Sequence, residues 1–532
     1  MAEFSGLKIL LPALLGGAVV SMLIERLLTP RPMLQRPAAA WLLHFGMWLI
    51  AFAFELSLFQ RPWFAAAFVL AFVLFVVLVS NAKFSSLREP FIFSDFEYFT
   101  DALRHPRLYI PFLGWGRAAL ALAGFIAAVY GGLAFETPLT QAVGATAVFQ
   151  AVGIIAALGV TMVAIGAMHL GPATYTPADD LQRLGLVASL WRYMADERKP
   201  IDSAAMSRVF PQLASTSTLA NIVVVQSESF FDARRLFGGI DRNVLRHWDV
   251  LQRESVQHGR LKVAAWGANT VRTEFSFLSG LDIDSLGVHK FNPYRKLARS
   301  GIATLASYLR AQGYRTVCVH PYPASFYNRH IVFPKLGFDE FIDIKSFDTV
   351  GKSGPVFGDA GQCGPFDDAS RCGPYIGDVT VAEKINALLA ARAGDNDRPL
   401  FIFAITMENH GPLHWEKLSA AERQQYFTEP LPKSCDDLAV YVRHLTNADK
   451  MAGMLRAQLA ASSIPAWLCF YGDHVPIMAD VYAALGEPDG DTEYVIWGNS
   501  PVASQSQQRD LGIADLAATM LQHAHQNKEK NS

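Results

Sequence analysis

The sequence predicts a protein in two parts: a bundle of about five transmembrane helices, then an α/β domain with a mostly parallel central sheet. Three observations lead to this prediction. The chain has 532 residues, too many for one ordinary domain. Hydrophobic residues make up 51% and charged residues 18% of it, which is apolar for a water-soluble protein. The apolar residues are concentrated in residues 1–170, whereas residues 200–532 alternate short strands with helical patterns.

Five segments reach the roughly 20 apolar residues that a membrane-spanning helix needs. They are residues 9–28, 38–59, 62–80, 117–135 and 142–170. A buried core helix could explain one such segment, but five in succession favour spans. The first segment lacks a small-residue cleavage site before a polar region, so we predict a retained span and not a signal peptide. Few ionisable groups lie within the spans, so the bundle is predicted to be an anchor and not a conduit.

The basic residues give a prediction for orientation. An odd number of spans puts the two termini on opposite sides of the membrane. Basic residues follow the first span and also lie between the third and fourth spans (Arg26, Arg31, Arg36, Lys83, Arg88, Arg104, Arg107). The positive-inside rule would place those loops, and the C-terminal half with them, in the cytoplasm.

We predict a transmembrane domain over 1–170, a linker over 171–218 and a water-exposed domain over 219–525. Within the linker, the stretch from Leu181 to Met194 is amphipathic. It fits a helix on the membrane surface and a solvated linker helix equally well. The net charge of -2 gives no basic face for nucleic acid, so no nucleic-acid partner is expected. Cys363 and Cys372 flank a loop rich in Gly, Pro and Asp. The sequence is compatible with a disulfide between them and equally with two free thiols.

Four continuous apolar runs are predicted strands: 221–227, 315–320, 400–406 and 466–472. Runs of this kind are typical of parallel strands that are buried on both faces. Helical patterns lie between them, over residues 301–312, 378–393 and 437–461. This alternation predicts an open α/β sheet.

Each predicted strand runs directly into polar residues that can do chemistry. In chain order these are Glu228, then His320, then Glu408, Asn409 and His410, then Asp473 and His474. Ligands of open α/β sheets bind at the carboxyl ends of the strands. Solvated loop residues explain one such ending easily and four poorly, so we predict a common site.

Thr270 lies where a loop enters a predicted helix, near its N-cap. The free N–H groups of a helix N-terminus suit a phosphate. A hydroxyl that touches a divalent cation there can lose its proton and attack phosphorus, although a simple capping role is the alternative. Together with Glu228, Asp473 and His474, it makes a mixed oxygen and nitrogen set. Such a set suits manganese, magnesium or zinc better than a thiolate-preferring metal.

Five short motifs follow one another along the chain: Ser227–Phe230, Asn269–Phe275, Ser325–Arg329, Glu408–Pro412 and Gly472–His474. In this order they resemble the lipoteichoic acid synthase and phosphoglycerol transferase family, within the alkaline phosphatase and sulfatase superfamily. Five spans before the catalytic domain is also the family's arrangement. The resemblance implies an alkaline-phosphatase-like or sulfatase-like fold for the second part.

The resemblance also implies a mechanism. Glu228, Thr270, Asp473 and His474 would hold one divalent cation, manganese first, with magnesium or zinc as alternatives. Thr270 would be loaded covalently with a phosphoglycerol unit from a phosphatidylglycerol-like donor and pass it to a glycan or glycolipid of the envelope. Four further residues match positions that cradle the phosphate and glycerol (His320, Tyr327, Arg329, His410). Position 327 is Tyr where the closest relatives often have Trp, which leaves the glycerol contact open.

The family's catalytic domain lies outside the bacterial cytoplasmic membrane, which is the orientation we expect here against the Lys and Arg count. The rivals are a sulfatase or phosphodiesterase, a phosphoethanolamine transferase, and a membrane receptor that retains the fold without activity. Sulfatases of the formylglycine type need a C/S-x-P-x-R motif, and neither Cys363 nor Cys372 begins one. The segment Ser325–Arg329 favours phosphoglycerol, and the intact metal set argues against a receptor.

Overall fold

The computed structural model describes residues 2–97, 115–202, 206, 210, 220–347, 375–391, 398–499 and 506–529. The chain divides into two compact units, Met1–Pro200 and Ile201–Ser532. Cys363 and Cys372 lie outside the described residues, as do Arg104 and Arg107. The described cysteines, Cys318, Cys435 and Cys469, are buried free thiols.

The described part of the first unit is built from helices. They are α1 (Ala2–Glu25), α2 (Ala38–Phe59), α3 (Pro62–Leu87), α4 (Trp115–Phe135), α5 (Leu139–Val143), α6 (Ala145–His169), α7 (Pro177–Leu184) and α8 (Leu186–Glu197). Among the described residues, four helices are long and apolar enough to cross a membrane: Lys8–Glu25 within α1, and α2, α3 and α6. The fifth predicted span, 117–135, coincides with α4, a helix of 21 residues outside that set of four.

Helices α2 and α6 approach closely because glycines face each other. A Cβ added at Gly46 would lie 2.9 Å from the carbonyl oxygen of Gly159, and a Cβ added at Gly159 would lie 2.9 Å from the carbonyl oxygen of Gly46. Small residues at such crossings allow the close packing that holds helices together in lipid, where no hydrophobic force draws them together. Large apolar side chains elsewhere in the unit are exposed, for example Leu23, Ile154 and Met168, as expected for a lipid-facing surface.

Two of the basic residues that point to a cytoplasmic C-terminal half are paired with acids in the first unit. The guanidinium of Arg36 lies 2.6 Å from a carboxylate oxygen of Glu25, and both side chains are at most 2% exposed. The Lys83 ammonium lies 2.7 Å from Glu89 and 2.6 Å from Asp95. Arg36 and Lys83, which both contribute to the positive-inside prediction, are therefore not free surface charges.

The amphipathic stretch from Leu181 to Met194 spans α7 and α8, which meet at Gly185 with φ of +79°. Leu181 and Leu186 pack in a cluster with Leu28 and Val76. Leu184 and Ala188 pack in a second cluster with residues of α2 and α6. The apolar face is thus covered by helices of the same unit.

The second unit is built around a mixed sheet of nine described strands in the order β4-β3-β5-β1-β6-β7-β2-β8, with β9 also paired to β2. The strands are β1 (Asn221–Ser227), β2 (Gln257–Lys262), β3 (Arg315–Val319), β4 (Glu340–Ile342), β5 (Leu400–Ile405), β6 (Ala466–Gly472), β7 (Thr492–Gly498), β8 (Gln507–Gln508) and β9 (Leu511–Gly512). The central strands β3, β5, β1 and β6 run parallel. Strand β7 is antiparallel to β6 and β2. The predicted mostly parallel sheet is confirmed.

Helices cover both faces of this sheet. They are α9 (Arg246–Glu254), α10 (Thr270–Ser279), α11 (Leu305–Ala311), α12 (Arg329–Leu336), α13 (Asp378–Ala391), α14 (Ala420–Arg423), α15 (Asp436–Ala460), α16 (Ala479–Leu485) and α17 (Ile513–Glu529). Alternate residues of β1 enter two different cores: Val223 and Val225 pack with α13 and α15, and Ile222 and Val224 with α10 and α17. Burial on both faces explains why the central strands are continuous apolar runs.

Candidate active site

The four predicted strand endings meet at one edge of the sheet. Glu228 follows β1, His320 follows β3, Thr406 follows β5, and Asp473 with His474 follows β6. These strands are parallel neighbours in the order β3-β5-β1-β6, so their carboxyl ends lie side by side.

A close approach of two chain segments brings Glu228 and Asp473 together. A Cβ at Gly472 would lie 1.9 Å from the carbonyl oxygen of Phe230, so only glycine fits at the end of β6. Ser229, at φ of +50°, donates its backbone N–H to Asp473 Oδ1 at 2.8 Å. Its hydroxyl donates to Glu228 Oε1 at 3.0 Å. The turn after β1 is thereby fixed against the turn after β6.

Glu228, Asp473 and His474 form a buried group that we call the carboxylate–imidazole cluster. Each residue offers one ligand atom, and these atoms lie within 4.8 Å of one another. The Nε2 atom of His474 is 3.4 Å from Glu228 Oε1 and 3.4 Å from Asp473 Oδ2. Among the described residues, neither Asp473 Oδ2 nor His474 Nε2 has a hydrogen-bond partner. Buried polar atoms without partners are costly, so this donor set fits a divalent cation.

The charges of the cluster act on one another. Burial and the neighbouring Glu228 carboxylate raise the pKa of Asp473 to about 7. His474, the backbone N–H of Ser229 and the Thr270 hydroxyl lower that pKa in part. Burial lowers the pKa of His474, but Asp473 and Glu228 outweigh it, so the pKa is raised. Without a cation, the cluster therefore holds protons near neutral pH.

Thr270 is the first residue of α10 and follows Asn269, whose φ is +66°. Its hydroxyl donates to Glu228 Oε2 at 3.4 Å. Thr273, one turn further on, donates its hydroxyl to the carbonyl oxygen of Asp473 at 2.8 Å. The Thr270 hydroxyl thus faces a carboxylate, not the backbone N–H groups that a capping side chain binds.

Arg329 and His320, both predicted to cradle substrate, lie in a second buried group that we call the Arg329 network. Arg329 Nη2 donates to Glu274 Oε2 at 2.8 Å, and Nη1 lies 3.2 Å from His320 Nε2. His320 Nδ1 lies 3.1 Å from the carbonyl oxygen of Ile405. Tyr294 donates its hydroxyl to Glu274. Arg329 and His320 are each 1% exposed, so the network is closed and interior.

The partners of His320 define its protonation. Burial and the Arg329 charge hold the pKa of His320 well below its usual range. Because Arg329 can only donate, Nε2 of the neutral ring accepts from it and Nδ1–H donates to Ile405. Both ring nitrogens are used within the protein. Glu274, which sequence reasoning left out of the site, was detectable as a carboxylate one helical turn after Thr270.

The other two predicted substrate residues, Tyr327 and His410, are partly exposed. The Arg329 guanidinium lies 5.2 Å from the centre of the Tyr327 ring. Tyr327 and Asn328 have φ of +53° and +55°, an uncommon conformation for two successive residues with side chains. His410 Nδ1 lies 2.7 Å from the carbonyl oxygen of Gly411 and 3.2 Å from the Tyr375 hydroxyl. Both hydrogen bonds of His410 thus use Nδ1.

A buried acidic pair lies beside the cluster and was not predicted. The backbone N–H of Asp378 donates to Glu408 Oε2 at 2.7 Å, and Asn447 donates to Glu408 Oε1 at 2.5 Å. Burial and Glu408 raise the pKa of Asp378 well above its usual range. Thr406, at the end of β5, accepts the backbone N–H of Glu228 at 3.0 Å. Sequence alone gave no signal for this pairing, because it joins residues of three separate segments.

Comparison with known proteins gives a consistent picture. The sequence profile of the Sulfatase family matches residues 220–526. The capsular polysaccharide biosynthesis protein RkpI of Rhizobium meliloti (strain 1021) is 28% identical over 506 residues, which cover 90% of this chain and 86% of that protein. A putative cyclic beta-1,2-glucan modification protein of the same organism is 25% identical over 303 residues, covering 56% of this chain and 42% of that protein.

Solved structures with a similar chain trace include two transferases. The lipooligosaccharide phosphoethanolamine transferase EptA of Neisseria meningitidis has a TM-score of 0.49 and 14% identity, covering 98% of this chain and 94% of its own. The phosphoglycerol transferase GacH of Streptococcus pyogenes, bound to sn-glycerol-1-phosphate, has a TM-score of 0.44 and 21% identity. It covers 58% of this chain and 76% of its own. At these identities neither structure indicates a substrate for this chain.

Proposed function

The chain belongs to the sulfatase family, and within that family we propose that it is a metal-dependent phosphoglycerol transferase. It moves a phosphoglycerol-type group from a phosphatidylglycerol-like lipid to a glycan or glycolipid of the cell envelope, through a covalent phosphothreonine at Thr270. The observation that supports this most is the Thr270 hydroxyl, which faces Glu228 in a buried cluster with unpartnered Asp473 and His474 atoms.

We propose that Glu228, Thr270, Asp473 and His474 hold one divalent cation. Two carboxylates, an imidazole and a hydroxyl suit manganese, magnesium or zinc, and we expect manganese. When bound, such a cation stabilises the threonine alkoxide and draws charge from the phosphate oxygens.

In the first half-reaction, Thr270 Oγ forms a bond to phosphorus, and the phosphorus–oxygen bond to diacylglycerol breaks. The Thr270 proton passes to Glu228, to which the hydroxyl already donates. Diacylglycerol takes up a proton as it leaves, and His410 Nε2 is the nitrogen of that ring left to supply it. In the second half-reaction, an acceptor hydroxyl attacks the same phosphorus and passes its proton to His410 Nε2. The bond from Thr270 Oγ to phosphorus breaks, and Thr270 regains the proton that Glu228 holds.

The predicted substrate residues divide into two roles under this proposal. Tyr327 and His410 are partly exposed and contact the transferred group directly. His320 and Arg329 are interior, and His320 has no ring nitrogen left for substrate. Each terminal nitrogen of Arg329 carries two hydrogens, so one N–H of Nη1 and one of Nη2 remain for a phosphate beside the contacts with His320 and Glu274. Glu274 and His320 are therefore positioning residues for Arg329.

We propose that the protein lies in the bacterial cytoplasmic membrane with its second unit outside. Four helices long and apolar enough to cross a membrane supply the anchor. A membrane lipid donor and an envelope acceptor are both reached from the outer face. Two relatives, the capsular polysaccharide biosynthesis protein RkpI and the putative cyclic beta-1,2-glucan modification protein, support a saccharide acceptor. A C-terminal reporter that is active only in the cytoplasm would overturn this orientation.

Mass spectrometry of the intact protein tests the donor and the nucleophile together. We expect a phosphoglycerol adduct on Thr270 after incubation of the full chain with phosphatidylglycerol and manganese, and none in Thr270→Ala. A parallel incubation with phosphatidylethanolamine distinguishes the main rival, because a phosphoethanolamine adduct in its place would identify that transferase. Headgroup release from either lipid without any adduct would instead indicate a hydrolase that does not use Thr270.

A further inference from the structure

Residues 408–411, which we call the 408–411 loop, are held at both ends by one short segment. At one end, the carboxylate of Glu408 accepts the backbone N–H of Asp378, the first residue of α13, at 2.7 Å. The first N–H groups of a helix have no acceptor within it, so a carboxylate suits this place. At the other end, the Tyr375 hydroxyl donates to the carbonyl oxygen of Gly411 at 3.3 Å. The entry to α13 therefore holds the whole loop.

A second helix holds the same loop. The side-chain amide of Asn447, within α15, donates to the other oxygen of Glu408 at 2.5 Å. Glu408 is 2% exposed, and each of its carboxylate oxygens accepts a hydrogen bond from the protein. At the start of the loop, the backbone N–H of His410 donates to the carbonyl oxygen of Met407 at 3.0 Å. One buried carboxylate thus joins the loop to α13 and α15.

The contacts of the loop also define which nitrogen of His410 carries a hydrogen. Nδ1 lies 2.7 Å from the carbonyl oxygen of Gly411 and 3.2 Å from the Tyr375 hydroxyl. Because a carbonyl oxygen can only accept, Nδ1 carries the hydrogen, and Nε2 of the neutral ring has the lone pair. Burial raises the pKa of Tyr375, so its hydroxyl stays neutral beside the ring. Nε2 is then the nitrogen for proton transfer.

We propose that Glu408 and Tyr375 are positioning residues for His410. Glu408 holds the backbone of the loop, and Tyr375 with the Gly411 carbonyl keeps the hydrogen on Nδ1. Nε2 gives its proton to the diacylglycerol oxygen as the phosphorus–oxygen bond breaks. It later takes the proton of the acceptor hydroxyl as that oxygen attacks phosphorus, and the Nδ1 hydrogen stays in place throughout. This inference rests on the proposed function, because it concerns the proton transfers of that reaction.

The test compares two donors that differ in their need for a proton. Diacylglycerol needs one from His410 as it leaves, whereas 4-nitrophenolate leaves glycerol 4-nitrophenyl phosphate as an anion. The rate of Thr270 loading by each donor is measured by mass spectrometry on the full chain in detergent with manganese. We expect Glu408→Ala and Tyr375→Phe to slow loading from phosphatidylglycerol about tenfold, a share of the roughly 10²–10⁴-fold that a general acid supplies. Loading from the nitrophenyl ester should slow less than about twofold, because no proton is needed there.

Two further variants are controls. Glu408→Gln keeps an acceptor for the Asp378 N–H, and the Asn447 amide can turn its oxygen to the new N–H group. Loading from phosphatidylglycerol should therefore stay within about threefold of the wild type. Tyr494→Phe removes another buried tyrosine hydroxyl, which donates to the carbonyl oxygen of Arg509 at 2.6 Å. It should leave the ratio of the two loading rates unchanged.

An equal fall with both donors would assign Glu408 and Tyr375 a structural role and overturn the inference. So would loading from phosphatidylglycerol at the wild-type rate. If Glu408→Ala does not fold, Tyr375→Phe alone decides. A double-mutant cycle adds a second criterion: in His410→Gln, adding Tyr375→Phe should cause no further loss, because the ring that it positions is gone. A further tenfold loss there would also overturn the inference.

Nitrogen-15 NMR of the histidine-labelled full chain in alkaline buffer tests the geometry without catalysis. The His410 signals are identified by their loss in His410→Gln. We expect the hydrogen on Nδ1 in the wild type and a mixture of both forms in Tyr375→Phe. If no adduct forms from either donor in the wild type, the proposed function fails, and the positioning inference then stands only on this NMR result. A hydrogen on Nε2 in the neutral wild-type ring would reject it.

Discussion

The two buried polar groups near Thr270 differ in how their charges are balanced. In the Arg329 network, the Glu274 carboxylate meets a guanidinium, and His320 accepts from the same cation. In the carboxylate–imidazole cluster, two carboxylates share one imidazole, and buried atoms of Asp473 and His474 have no partner among the described residues. The charges of the first group are balanced within the protein, and those of the second group are not balanced by any described cationic side chain.

The comparison shows that burial of a carboxylate does not by itself indicate a metal site. Glu274 and Asp473 are both fully buried acids. The Glu274 carboxylate lies 2.8 Å from the Arg329 guanidinium, whereas burial and the Glu228 carboxylate raise the pKa of Asp473 to about 7. A buried carboxylate therefore indicates a metal site only when the surrounding protein fails to neutralise it.

The largest expected effect is that of replacing Thr270, the proposed nucleophile. This change removes the reacting hydroxyl but leaves the side chains of the Arg329 network and of the carboxylate–imidazole cluster in place. Thr270→Ala should lower transfer by at least about 10³-fold, because a covalent route is lost while binding remains. Thr270→Ser keeps a hydroxyl and should keep measurable transfer. The measurement is turnover of a fluorescent phosphatidylglycerol, with the melting temperature as a control for folding. Transfer at the wild-type rate in Thr270→Ala would falsify the nucleophile assignment.

The next largest effect is expected in the Arg329 network. Glu274→Gln leaves the Arg329 charge buried and unpaired, so we expect stability to fall by about 3–5 kcal/mol. The matched control is Glu340→Gln, which removes the exposed pair with Arg315 and should cost at most about 1 kcal/mol. Thermal unfolding of the full chain in detergent compares them. Equal shifts in melting temperature would contradict a closed, charge-balanced network.

The carboxylate–imidazole cluster should make the stability of the protein depend on metal. Manganese at about 100 times its Kd should stabilise the wild type by about 2.7 kcal/mol, because it binds only the folded cluster. Asp473→Asn should abolish that stabilisation. Without metal, the same variant should be no less stable than the wild type, since one of two like charges is removed. A metal-free variant that melts well below the wild type would mean that Asp473 already has its partner within the protein.

The smallest expected effect is on pH dependence. The folded pKa of Asp473, about 7, lies above its ordinary value of 3.8, so the folded state binds the extra proton. This stabilisation is complete below pH 3.8 and is lost as pH rises through 7. From pH 6 to 8, the metal-free protein should lose about 1 kcal/mol. Glu493, whose pKa burial also raises to about 7, acts in the same direction.

Thermal melts at pH 6 and pH 8 separate the two acids, because Asp473→Asn removes only its own share. Saturating manganese should remove the Asp473 share of the slope, since the bound cation keeps that carboxylate deprotonated in the folded state, as it already is in the unfolded state above pH 6. A metal-free melting temperature that rises between pH 6 and pH 8 would contradict the raised pKa.

Part of this fold could be predicted from the sequence. Strands β1, β3, β5 and β6 agree with the predicted runs to within a residue, because strands buried on both faces leave a continuous apolar signal. The direction of β7 was not readable, since the apolar pattern of a strand does not depend on the orientation of its neighbour. The residues of the carboxylate–imidazole cluster could be predicted to lie together because each lies within two positions of the end of a parallel strand.

Side-chain pairing was much less accessible. Arg329 and Glu274 are 55 positions apart, and their ion pair depends on how α12 packs against α10. Before that packing is known, an arginine in a motif suggests a ligand contact and a glutamate suggests nothing. The same limit hid Asp378, whose partner Glu408 belongs to another segment. Sequence patterns specify which elements form, whereas charge balance is a property of their assembly.

The burial of α10 has a kinetic consequence. All ten of its residues are buried, and Thr273 ties its first turn to the end of β6. The Thr270 oxygen is therefore held in one position. Under the proposed phosphothreonine mechanism, donor and acceptor use that position in turn, so diacylglycerol would depart before the acceptor attacks. Double-reciprocal plots of initial rate at several acceptor concentrations should accordingly give parallel lines, the signature of a substituted-enzyme mechanism.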